Sequence, residues 1–275
     1  MKTRIISGLV MAPFLILVII GGPLISILCL FIALMGMREF FNGFKAMEIH
    51  ACYPAAVISV LLLYGVHCLQ GWKMMEDGQT VPLYMAWLFV SVLMCLLYLF
   101  KIEERRLEDA LVTITGIVYI GFFSYHAVLT EFSYSELCKA SPVWLILITA
   151  FCTDIFAYFG GFFLGRHKLC PVISPKKTVE GSVCGILGSL IFSMLFGWFF
   201  MDRSLLWACG VIGILGGITS QFGDLTASIF KRKMGIKDYG NLIPGHGGIM
   251  DRFDSVLFTA PTVYYCLFFL SEFAK

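Results

Sequence analysis

The chain has 275 residues, 59% of them hydrophobic and 14% charged, with a net charge of +2. A soluble domain carries about 25% charged residues, so a surface this poor in charge excludes a water-bathed globule and makes lipid the solvent. The net charge is too small to imply a nucleic-acid partner.

About 20 apolar residues cross a bilayer, and the apolar runs predict nine spans. The first covers Ile5–Ile20 and stops at Gly21-Gly22-Pro23, where two flexible residues precede one that lacks an amide donor. The next four are Leu24–Phe41, Tyr53–Leu69, Leu83–Phe100 and Ala110–Leu129. The last four are Val143–Leu164, Gly181–Met201, Leu205–Phe230 and Val256–Leu270. The first run continues for some thirty residues without a small-residue cleavage site, so it reads as a membrane hairpin and not as a signal peptide. With nine spans, sixteen of the twenty Lys and Arg residues fall on the side of the N-terminus. This asymmetry places the N-terminus in the cytoplasm. The ten cysteines form no CxxC pair and read as small buried hydrophobes. The expected fold is an all-α polytopic integral membrane protein.

Polarity divides the chain in two. Residues 1–141 are apolar helices with short loops, a scaffold that meets lipid or a second copy. Residues 142–275 hold the chemistry, on cytoplasmic loops 166–180 and 231–254. Asp154 lies in mid-span, where a charge is costly and points to a cavity or a partner. Tyr158, Gly161 and Gly165 continue its helical face. A hydrogen bond joining two helices is the plainer account.

The loop after this span carries Arg166, Lys168, Ser174, Lys176 and Lys177, and Thr178 is placed to cap the next helix. A helix start beside lysines suits a phosphate, although basic residues are also ordinary on a cytoplasmic loop. In the eighth span, Ser220, Gln221, Asp224, Ser228, Lys231 and Arg232 form a polar stripe at helical spacing. Such a stripe suits a helix lining a wet cavity.

The segment that follows mixes Lys237 and Arg252 with Asp238, Asp251 and Asp254, around a glycine-flanked His246. Carboxylates beside cations suggest a divalent ion held between protein and phosphates. Asp224 and Asp251 would serve if the loop folds back on the eighth span, with Asp254 next. His246 reads as a phosphate donor or a loop hydrogen-bond partner. It has no second histidine beside it to form a zinc site.

The segment Ser228 to Ser255, SIFKRKMGIKDYGNLIPGHGGIMDRFDS, resembles the signature of the phosphatidate cytidylyltransferases, or CDP-diacylglycerol synthases. SPKKTVEG upstream, the Gly223–Leu225 GDL, and Asp154 with Ala157, Tyr158 and Gly161 are similar to the same family. The resemblance implies a multi-pass inner-membrane enzyme, the compact form suggests a bacterium, and the basic loops turn the active site to the cytoplasm. The resemblance also implies a homodimer that depends on Mg²⁺, with room for a second cation. Its substrates would be CTP and phosphatidic acid. The family's metal-binding aspartates fall on Asp224 and Asp251. Lys231, Arg232 and Asp254 join them in the catalytic set. Substrate phosphates would meet Ser174, Lys176, Lys177, Ser228, Lys231, Arg232, Lys237, His246 and Arg252, and Asp238 and Asp154 complete the substrate-binding set. Two alternatives use the same residues differently: a CTP-dependent enzyme with another lipid acceptor, or an ion-coupled transporter built on Asp154 and Asp224.

Overall fold

The computed structural model describes residues 14–71, 80–240 and 247–272. Residues 14–20 are helical, and the expected first span otherwise lies outside the described residues. Gly21 and Gly22, both at positive φ, then turn the chain into α1, Pro23–Phe44. Proline is suited to this first position because its amide would be unbonded there in any case. The next helices are α2, Tyr53–Gly71, and α3, Thr80–Leu97. The fifth expected span is α4, Leu107–Gly116, which passes through a π-helical stretch, Ile117–Phe122, into α5, Phe123–Tyr134.

The second half opens with α6, Val143–Leu164, at the expected bounds. A hairpin of β1, Lys168–Cys170, and β2, Ser174–Thr178, follows, so the expected loop is an antiparallel ribbon in an otherwise helical chain. Then come α7, Val179–Phe200, α8, Leu206–Met234, and α9, Met250–Glu272. Seven described helices are long and apolar enough to cross a membrane, and Tyr53–Leu69 is a shorter apolar one. The chain is an all-α multi-pass membrane protein.

Two of the boundaries that differ from expectation bear on function. Helix α8 runs on through Lys231 and Arg232, ending where Gly235 takes φ +70° and its amide bonds back to the Arg232 carbonyl. Glycine adopts that left-handed turn without steric cost. Helix α9 starts at Met250, not Val256, so Asp251, Arg252 and Asp254 lie on its first two turns. The basic connector therefore spans 235–249, not 231–254.

Outward-facing side chains are large and apolar, among them Phe89, Phe162, Phe163 and Phe199. Water would oppose such a surface and lipid accepts it. Inside a bilayer, helices associate through close packing more than through hydrophobic exclusion. Glycine does this where α8 crosses α9. A Cβ on Gly223 would stand 2.5 Å from the Asp254 carbonyl oxygen and 3.2 Å from the Ser255 Cα. Both are backbone atoms and cannot move aside. Gly223→Val is expected to force the helices apart, costing about 1–3 kcal/mol and inactivating the protein. Melting in detergent checks this; an unchanged midpoint would show that the crossing tolerates the side chain.

Candidate active site

Gln221 and Asp224 of the polar stripe line a cavity of about 610 Å³ between α6, the β-hairpin, α7 and α8. Asp154, Lys176, Lys177, Gln221 and Asp224 face it, while Tyr158 and Phe162 form a wall open to the lipid side. Its mouth is shaped by caps. Thr178 Oγ1 accepts the Gly181 amide at 3.1 Å, fixing the start of α7 as expected. Glu180 accepts the Arg166 and His167 amides, holding the hairpin to the same helix start.

Two aspartate–lysine pairs dominate the electrostatics. Asp224 Oδ2 lies 2.5 Å from Lys177 Nζ, and its other oxygen accepts the Ser228 hydroxyl at 3.4 Å. Asp251 Oδ1 accepts Lys231 Nζ at 2.8 Å. Asp251 Oδ2 accepts the Tyr239 amide at 2.8 Å and the Gly248 amide at 3.0 Å. Asp251 thus organises both ends of the connector, and its side chain is only 4% exposed. Asp154 Oδ2 accepts the Ser255 hydroxyl at 3.1 Å, tying α6 to α9. Asp254 is buried, accepts the Ser255 amide at 2.8 Å, and has Asp224, Lys231 and Asp154 in electrostatic range. Burial and the carboxylates of Asp254 and Asp251 push the Tyr239 hydroxyl well above the usual phenol range.

The fold therefore gathers Asp154, Lys176, Lys177 and Asp224 around the cavity, with Ser228 bonded to Asp224 and with Lys231, Asp251 and Asp254 at the adjoining α8–α9 crossing. Arg252 is within electrostatic range of Asp154. Arg232 donates from Nε to the Ile173 carbonyl at 3.4 Å, holding the hairpin beside Ser174. Lys237 and Asp238 are exposed on the connector, with no hydrogen bond to this cluster among the described residues. His246 lies outside the described residues.

Two residues of the first half reach the same place. Glu39, in α1, accepts the Ile249 amide at 3.1 Å and the Met250 amide at 2.9 Å, capping α9. An acid inside an apolar run was its signal in the sequence. Tyr119, in the π-helical stretch, stands between Phe230 and Phe258 with ring centroids 5.8 and 5.7 Å away. Its buried hydroxyl has no hydrogen-bond partner among the described residues and lies in electrostatic range of Asp254 and Asp224. Nothing in the local sequence marks it, because an aromatic in a span is ordinary.

Among the described residues, no three His, Cys, Asp or Glu side chains are close enough together to hold a metal alone. Mg²⁺ commonly uses one or two carboxylates and completes its shell with water and substrate phosphates. Asp224 fits that mode because it faces the cavity, and Asp251 would join it by releasing Lys231 from Oδ1 while Oδ2 keeps the Tyr239 and Gly248 amides.

The cytidylyltransferase family model matches residues 2–270. A phosphatidate cytidylyltransferase of a Synechocystis species is 35% identical, covering 95% of this chain and 94% of its own. Enzymes of the same name from Staphylococcus haemolyticus and Staphylococcus saprophyticus are 31% and 33% identical, over 95% of this chain and 96% of theirs. The match runs through the scaffold helices as well as the polar cavity, and the chain belongs to the cytidylyltransferase family.

Proposed function

We propose that the protein transfers the cytidylyl group of CTP to phosphatidic acid, forming CDP-diacylglycerol and releasing pyrophosphate. The observation that carries this reading is the cavity itself. One wall opens toward lipid at Tyr158 and Phe162, and the floor presents Lys176, Lys177 and Asp224. A lipid phosphate can enter sideways while a nucleotide enters past the basic hairpin.

The phosphate of phosphatidic acid is an anion at neutral pH, so attack on the α-phosphorus of CTP needs no strong base. The obstacle is repulsion between two polyanions and charge on departing pyrophosphate, which cations placed in advance relieve. Lys177 and Lys231, paired with Asp224 and Asp251 before substrate binds, supply ammonium groups that exchange a carboxylate for a phosphate oxygen. Lys176 and Arg252 add positive charge near the same ligands. When bound, Mg²⁺ would neutralise phosphate charge, and Asp224 and Asp251 are the residues to hold it. Asp154 and Ser255 keep α6 against α9, which holds the cavity walls in place. The enzyme sits in the bacterial inner membrane with its N-terminus and basic loops in the cytoplasm, and acts as a homodimer.

The reaction is tested with purified protein, CTP, phosphatidic acid and Mg²⁺. Equal amounts of pyrophosphate and CDP-diacylglycerol are expected, and both are lost with EDTA. Release of CDP instead of pyrophosphate would indicate a kinase. CTP binding without turnover would move the assignment to another lipid acceptor. Failure of folded protein to bind CTP would overturn the reading.

A further inference from the structure

A second basic cavity lies apart from the one just described, with no lining residue in common. It measures about 470 Å³ and is bounded by the end of α1, the connector to α2, and the segment joining α3 to α4. Arg38, Lys45 and Arg105 converge on it beside Asn42, Tyr53 and Tyr98. Clustering of basic side chains at helix ends is expected at a membrane surface. Three features set this cluster apart from scattered surface charge.

The first is a rigid frame. The Tyr98 hydroxyl donates to the His50 carbonyl at 3.2 Å, the His50 amide to Asp109 at 2.6 Å, and the Cys52 amide to the Thr113 hydroxyl at 2.8 Å. The second is an aimed cation. The Arg105 guanidinium stands 4.4 Å over the Tyr98 ring, and its Nε is buried without an acceptor. A buried donor without a partner is costly, and an anion in the cavity would supply one.

The third is that three of the neighbouring acids are committed elsewhere, while Glu48 and Glu103 are exposed. Asp109 is buried and accepts the His50 and Arg106 amides. Glu104 pairs with Lys101 and Glu108 with Arg106. Among the described residues, Arg38, Lys45 and Arg105 form no ion pair. Phe100 and Ile102, on the same segment, are 83% and 85% exposed, a rim suited to acyl chains.

We propose that Arg38, Lys45 and Arg105 bind a phosphate group, that of an anionic lipid headgroup lying at the edge of the bilayer. Basic pockets between membrane helices recognise such headgroups, and a guanidinium offers two parallel donors to phosphate oxygens. The site is separate from the reaction cavity. Its nearest link to that cavity is Glu39, adjacent to Arg38 in sequence and bonded to the start of α9.

Binding is read without turnover, so its outcome is independent of the reaction assigned above. The full chain in neutral detergent is titrated with dioctanoyl phosphatidylglycerol, dioctanoyl phosphatidylcholine and inorganic phosphate. Native mass spectrometry and thermal shift are the readouts. The anionic lipid is expected to bind and raise the melting midpoint, with the zwitterionic lipid much weaker. Arg38→Gln with Lys45→Gln, both exposed positions, and separately Arg105→Gln, should each weaken binding about tenfold or more. Asp224→Asn should leave it unchanged. Equal binding of both lipids, or undiminished binding in folded Gln variants, overturns the proposal. Tight binding of inorganic phosphate with no advantage for the lipid overturns the headgroup as occupant.

Discussion

Asp224→Asn should reduce CTP-dependent pyrophosphate release by at least about 10²-fold, the usual scale for losing one preorganised electrostatic contact in a reaction site. The substitution keeps the shape of the side chain and removes its charge. Asn offers the Lys177 ammonium, which stands 2.5 Å from Asp224 Oδ2, only a neutral acceptor, and it is a poor ligand for a divalent ion. The protein should still insert and purify, because Asp224 is partly exposed to the cavity and is not closing a packed core. Asp202→Asn, exposed beyond the far end of α7, serves as the control and should remain active. Activity of Asp224→Asn within about twofold of the parent would remove Asp224 from the reaction and the metal assignment with it.

The second large effect is expected far away in sequence. Glu39→Ala leaves the Ile249 and Met250 amides without their carboxylate, at a position only 8% exposed. Each unmet buried donor costs about 1–3 kcal/mol. The loss also removes a negative charge from the positive end of the helix dipole. Asp251 and Asp254 occupy the first two turns of that helix, so a shift there displaces both. A misplacement of about 1 Å can reduce turnover about 10²-fold. Glu39→Ala should therefore lower both melting midpoint and kcat, and Glu39→Gln, which keeps one acceptor oxygen, should fall between. Wild-type kcat in the Ala variant would mean that the cap does not position the aspartates.

These two residues mark what was and was not legible. Asp224 stood out because a charged residue is expensive inside an apolar span, and its spacing to Ser228 and Lys231 read as one helical face. The same reasoning found Asp154, which the fold ties to Ser255. Glu39 carried the same signal but sat beside Arg38 at a helix end, where charge is expected and draws no notice.

The sequence by itself determined the membrane class, the positions of most helices, the polar stripe of α8 and the entry of charge into the spans from Asp154 onward. These follow from properties local to the chain: hydrophobic runs of bilayer length, breaks at Gly and Pro, and the 3.6-residue period. Tertiary structure alone decided which lysine meets which aspartate, since Lys177 and Asp224 are on different elements, and Lys231 and Asp251 on different helices. It decided that Asp251 meets three donors across the connector, and that Tyr119 and Glu39 of the first half reach the site. It also carried α9 back to Met250, because Glu39 supplies the cap that makes an earlier helix start favourable. Periodicity cannot report such contacts: they depend on how helices cross, and close approaches such as Gly223 against Asp254 decide the crossing.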